Sequence, residues 1–237
     1  MPRFLNWLLR LGPTNPICMR LVWGGSRRSR HLWVRSGYLA VMIIVLVLNL
    51  LTSGAGSGGG ASLQDLASAG AQSFATTSYL QLILICFLTP IFMAGAIAQE
   101  ANPRTWDILL TTPLSSLQIV LGNLFGRLFF VVALLVSTLP LFAVTQFFGG
   151  VPGQSIFLSY AIAAATALLV GAVAITLSVS RQAGRRAVFL FYITVVLYVG
   201  ITWSIDRSLR VGGGGLITWM TALNPILALE SLLNSQN

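Results

Sequence analysis

Long apolar runs dominate the chain, with polar residues gathered in the gaps between them rather than alternating along the runs. A helix needs about 20 predominantly apolar residues to cross a bilayer. Five stretches supply them, at 37–53, 79–98, 119–148, 155–178 and 187–205. The first, GYLAVMIIVLVLNLLTS, is short but extends backward through His31–Ser36. A sixth apolar stretch, 216–233, is broken by Asn224-Pro225 and carries Glu230. It reads as a re-entrant or interfacial piece, or as the approach to a further helix. The pattern predicts an all-α, polytopic helical membrane protein: a cytoplasmic or interfacial N-terminal region over 1–36 and a transmembrane domain over 37–237.

The polar gaps have distinct characters. Residues 54–60 (GAGSGGG) have flexible-linker composition, and Leu63–Phe74 reads as a short helix lying on the membrane surface. The four glycines at 212–215 form a second flexible outer element. They are no phosphate loop, since the chain has no lysine for one. Near the N-terminus, residues 3–11 place Phe4, Trp7, Leu8 and Leu11 on one helical face, which suits a helix in the headgroup plane. Residues 12–16 (GPTNP) break it. Trp23 and Trp33 then flank Arg27, Arg28, Arg30 and Arg35, an arrangement that anchors a chain at a membrane surface. An exposed RNA-binding arm is the competing reading.

Composition narrows the class. Of 237 residues, 56% are hydrophobic and 8% charged, against about a quarter charged in soluble domains. Mean hydropathy is +0.85. Two cysteines, Cys18 and Cys86, in apolar or basic-apolar surroundings exclude a secreted disulfide scaffold. The formal net charge of +9 would suit nucleic acid. In a chain with long apolar runs, however, clustered arginine meets anionic headgroups and sets orientation, so membrane lipid and not nucleic acid is the expected partner. Twelve of the fourteen arginines fall before the first span, in the gaps after the second and fourth, or just inside the third; only Arg207 and Arg210 lie on the other side. The bias puts the N-terminus on the cytoplasmic side of the membrane, which is expected to be a bacterial-type inner membrane. Arg127, roughly 12 Å along the third span, either snorkels to the cytoplasmic interface or partners an acid or a substrate headgroup.

The segment 99–118, QEANPRTWDILLTTPLSSLQ, lies on the arginine-rich side. Asn102-Pro103 signals a helix start, Trp106, Ile108, Leu109 and Leu110 present large apolar groups, and Thr111-Thr112-Pro113 ends the helix. A short helix of this kind either lies on the membrane or fills a partner's groove.

Residues 100–115, EANPRTWDILLTTPLS, followed by Gln118-Ile-Val-Leu-Gly122-Asn123, resemble the permease subunits of type-2 ABC transporters, exporter-type. Such subunits carry an acidic residue, then a Thr-aromatic/Leu-Glu-x-Leu-Leu-x-Thr-Pro-Leu-Ser run, then an Ile-x-x-Gly-Lys start to the third span. Asn15-Pro16 with Arg20 and the later 223–229 stretch also look like that family. The resemblance implies that 99–118 is a coupling helix docking on a separate ABC-type ATPase subunit through Glu100, Thr105, Trp106, Asp107, Leu109, Leu110, Thr112 and Pro113. It implies an interfacial helix over 3–11, and pairing with a second permease chain as a homo- or heterodimer. Departures from the pattern are Asn102-Pro103-Arg104 in the approach, Asn123 in place of lysine and Asp107 in place of glutamate. The family has six spans against five here, which reads as a chain truncated or split before the sixth.

Enzymatic chemistry finds little support. His31 is the only histidine and sits in the arginine cluster, leaving no residues for a Ser-His triad or a histidine-ligated metal centre. No apolar span holds a clear intramembrane carboxylate, against a proton-coupled carrier. The expected function is therefore a permease subunit forming the substrate pathway, with ATP hydrolysis on a partner and no catalytic, cofactor or metal residues of its own. A non-transporting membrane scaffold is the alternative. Pro90 and Pro140 are expected to be kinks that neighbouring helices tolerate, and the alanine-rich fourth span to pack closely on other helices.

Overall fold

In the computed structural model the described residues are 16–26, 29–52, 62–100, 115–179, 185–211 and 219–234, and among them there is no strand. The helices are α1 (Pro16–Ser26), α2 (Ser29–Thr52), α3 (Leu63–Glu100), α4 (Ser116–Ser137), α5 (Leu139–Phe147), α6 (Gly153–Val179), α7 (Arg185–Val211), α8 (Trp219–Leu223) and α9 (Pro225–Asn234). Among the described residues, five stretches are long and apolar enough to span a membrane: His31–Thr52, Leu63–Met93, Leu117–Phe147, Gly153–Thr176 and Phe189–Arg210. The expected all-α architecture with five spans is what the chain adopts. The interfacial helix expected over 3–11 and the coupling helix expected within 99–118 fall outside the described residues, the latter for 101–114.

Residues 63–78 do not form a separate surface helix. Ser62 and Asp65 cap each other, the Ser62 amide and hydroxyl donating to Asp65 Oδ2 (3.0 and 2.7 Å) and the Asp65 amide to Ser62 Oγ (3.2 Å). From that cap α3 continues as one helix for 38 residues, with Pro90 inside it, about 57 Å, well beyond the roughly 30 Å hydrocarbon layer. The expected third span is in turn divided. Pro140 cannot donate within a helix, and α4 gives way to α5 at Thr138, with Pro140 in the first turn of α5. The last span runs on past 205 to Val211, where Arg210 pairs with Asp206 one turn earlier at 2.7 Å. The 216–233 stretch forms α8 and α9, separated at Asn224, with Pro225 at the first position of α9, where its missing N–H costs nothing.

The chain divides into two compact units. The first comprises 1–33, 86–133 and 167–195. Its core holds Met93, Leu124, Leu128, Val131, Ala167, Val170, Ala174 and Phe191. Glycines lie at two helix crossings within it. A Cβ on Gly171 of α6 would meet Met93, Leu124 and Leu128 at 3.0–3.4 Å, and one on Gly126 of α4 would meet Leu21 and Cys18 of α1 at 3.0–3.3 Å. Small residues at such crossings let backbones approach.

The second unit comprises 34–85, 134–166 and 196–237. Here α2 buries the single stripe Tyr38, Met42 and Leu46 while Val41, Ile44, Val47, Leu48 and Leu51 stay exposed, a face of the composition that lipid solvates. The turn into α6 uses Gly149 and Gly150 at φ +84° and +75°, and it packs so closely on α3 that a Cβ on Gly70 would lie 2.6 Å from the Gly149 carbonyl. Positive φ at both positions is available cheaply only to glycine.

Candidate functional site

The residues expected to dock a partner lie almost wholly outside the described residues. Thr105, Trp106, Asp107, Leu109, Leu110, Thr112 and Pro113 all fall in 101–114, and Glu100 is the last residue of α3. The far end of that segment is built by a second reciprocal cap that sequence reasoning had not singled out. The Ser115 amide donates to Gln118 Oε1 (3.1 Å) and the Gln118 amide to Ser115 Oγ (3.3 Å), starting α4. The segment is thus bounded by two helix ends, both in the first unit. Of the expected anchoring residues, Trp23 and Trp33 are 68% and 78% exposed and Arg35 is exposed. Trp7, Arg27 and Arg28 lie outside the described residues, and the side chain of Arg30 does too.

Arg127 does not snorkel. It is 8% exposed, and its Nη1 donates to the Phe92 carbonyl of α3 at 3.0 Å. A buried guanidinium needs such acceptors, because a charge without partners in apolar surroundings costs several kcal/mol. The His31 ring lies between two phenylalanines close by. Its centroid is 4.3 Å from that of Phe130 and 5.6 Å from that of Phe92, with the planes within 12–14° of parallel. On the other side of α3, Tyr192 of α7 stacks on Phe87 at 5.6 Å and donates its hydroxyl to the Phe87 carbonyl at 2.9 Å. Three helices therefore grip α3 between Phe87 and Phe92, on either side of Pro90. Burial raises the Cys18 thiol above its ordinary pKa and keeps it protonated, a poor nucleophile.

The second unit holds a buried polar group of its own. Gln81 donates to Thr138 Oγ1 (3.3 Å), which shares a hydrogen bond with the Tyr160 hydroxyl (2.8 Å) and donates to the Leu135 carbonyl (2.7 Å). Phe142 stands edge-on to Tyr160 and to Phe74 at 5.2 and 5.7 Å. Tyr38, 4% exposed, abuts this group. Lone Gln, Thr and Tyr residues inside apolar spans were the available signal, and it carries no information about which of them meet.

A second polar clip fixes α8 and α9 to α7. Asn224 donates to the Val199 carbonyl (3.1 Å) and to Thr202 Oγ1 (2.8 Å), while its own carbonyl oxygen accepts the Ile226 amide (3.0 Å) and starts α9. Tyr198 donates to the Leu223 carbonyl (2.7 Å), and Thr221 to Asp206 (3.3 Å). Among the described residues no group of three or more His, Cys, Asp or Glu side chains is placed to hold a metal.

A family model described as "ABC-2 family transporter protein" matches residues 23–211, a range that runs from the end of α1 to the end of α7 and includes 99–118. No curated protein and no solved structure matches the chain.

Proposed function

The chain belongs to the ABC-2 transporter family, and on that premise we propose that this multi-pass permease subunit is the pathway-forming half of an exporter driven by a separate ABC-type ATPase. The observation that carries the reading is the match over 23–211 combined with the position of 99–118. That segment joins the ends of α3 and α4 and lies on the side where arginines concentrate. The arginine bias supports a cytoplasmic N-terminus and an inner-membrane location, which would present Trp106 and Leu109 to a cytosolic partner.

In this reading closure of the ATPase subunits pushes on 99–118, with Glu100, Thr105, Trp106, Asp107, Leu109, Leu110, Thr112 and Pro113 as the docking surface. The push displaces α3 and α4 together. A second permease chain, identical or related, completes the pathway, and hydrolysis stays on the partner. The test is reconstitution of the full chain with its ATPase. Trp106→Ala with Leu109→Ala should abolish permease-dependent stimulation of ATP hydrolysis while membrane insertion stays normal, since truncating two apolar anchors of a docking helix costs several kcal/mol, on the order of 2 or more each. Unchanged stimulation would leave 99–118 as a surface element of a scaffold.

A further inference from the structure

Pro90 interrupts the hydrogen-bond ladder of α3 ten residues before that helix ends at Glu100. It has no N–H for the Cys86 carbonyl, and its ring crowds that carbonyl. In a lipid-facing helix the loss must be made good by neighbours. The neighbours do something more specific than cover it. The carbonyl one residue on, Phe87, takes the Tyr192 hydroxyl at 2.9 Å, and the Phe92 carbonyl beyond the break takes Arg127 at 3.0 Å. Both carbonyls also belong to the ladder of α3 itself, so these bonds tie the two sides of the break to α7 and α4. Thr89, fully buried and adjacent to Pro90, has an Oγ1 with no hydrogen-bond partner. Threonine in a helix commonly donates to the carbonyl three or four residues back, and three back from Thr89 is Cys86, the carbonyl that Pro90 leaves without a donor.

We propose that the Pro90 break is a hinge in α3, latched by Tyr192 and Arg127, with the Thr89 hydroxyl as the donor that takes the Cys86 carbonyl when the latch opens. The use of such a hinge rests on the ATPase-coupling reading above. Latched, the residues before the break are held to α7 through Tyr192 and those after it to α4 through Arg127, so a push at 99–118 is transmitted across Pro90. Unlatched, the two sides swing and the push is lost. The hinge itself does not depend on that reading.

Hydrogen exchange of the full chain in lipid nanodiscs, followed on peptides covering 86–96, tests the hinge without any partner. Tyr192→Phe removes one hydroxyl and should speed exchange there about threefold, the factor set by a typical interhelical hydrogen bond, while peptides from α6 stay unchanged. Pro90→Ala restores the missing N–H; it should slow exchange at 86–96 in the otherwise native chain and return the Tyr192→Phe variant to native rates. Unchanged exchange in Tyr192→Phe, or a Pro90→Ala that slows nothing and rescues nothing, overturns the proposal. With the ATPase present, Tyr192→Phe should lower stimulated hydrolysis and Pro90→Ala should restore it. If the native chain stimulates no ATPase although the exchange results hold, the coupling reading fails and the hinge stands.

Discussion

Thr138→Val exposes how the second unit is held together. The substitution keeps the shape of the side chain and removes its hydroxyl, which is why Thr and Val are not interchangeable in a core. Thr138 is fully buried, and its Oγ1 serves Gln81 of α3, Tyr160 of α6 and the Leu135 carbonyl of α4. Losing it takes one partner from the Gln81 amide and one from the Tyr160 hydroxyl, beside Phe74 and Phe142. Interhelical hydrogen bonds in membrane proteins average about 0.6 kcal/mol and reach about 1.7, so two of them predict a loss of roughly 1–3 kcal/mol. The measurement is equilibrium unfolding in mixed detergent–SDS micelles. Pairing the variant with Tyr160→Phe in a double-mutant cycle isolates the 2.8 Å contact. A coupling energy below about 0.3 kcal/mol, the usual limit of additivity, would show that Thr138 and Tyr160 touch without holding one another, and the argument that this polar group fixes the unit would fail.

Gly70→Ala and Gly171→Ala should separate cleanly in the same assay. The first drives a Cβ against backbone, 2.6 Å from the Gly149 carbonyl, and should cost about 1–3 kcal/mol as overpacking does. The second meets the flexible end of Met93 at 3.0 Å and should lie within about 0.5 kcal/mol of the native chain; equal losses would refute the spacing argument. Asn224→Ala removes the two bonds to α7 and the cap of α9, a combined loss of roughly 1–3 kcal/mol. It should speed hydrogen exchange of peptides covering α8 and α9 in lipid nanodiscs, and unchanged exchange there would refute the clip.

The span count was legible because it depends only on the length and apolarity of each run, a property of single segments. Span edges were less so. The boundary near Tyr79 followed the fall in hydropathy through 64–78, but a helix ends where its backbone is broken or capped, and nothing between the Ser62–Asp65 cap and Pro90 does either. The cap itself, a serine followed three residues on by an acid, was readable. For Arg127 the sequence allows either snorkelling or an acid or headgroup partner, and the structure gives it a carbonyl of α3. Its depth allowed a reach to the interface, yet a carbonyl of α3 lay nearer, and which helix stands beside which is not written in any one run. The same holds for Tyr192, Gln81, Thr138 and Tyr160. Each is an isolated polar residue in an apolar stretch, and its role is decided by a neighbour 22 to 105 positions away.

The polar contacts within each unit share one energetic character, and it bears on how the chain could be driven. Most are single bonds from a side chain to a backbone carbonyl or another neutral side chain, each worth about 0.6 kcal/mol on average and so able to shift a two-state balance only about threefold. The Tyr192 bond at Phe87 therefore biases α3 without locking it. To carry such an element from 1:99 to 99:1 a partner must favour one state by about 5.5 kcal/mol, more than any contact in the first unit supplies alone. The bias must come from a ligand or partner that binds the two states unequally. A bilayer in contact with both states supplies no such difference unless the exposed apolar face changes. On the proposed reading, a partner that pushes on 99–118 is what would supply that bias to α3.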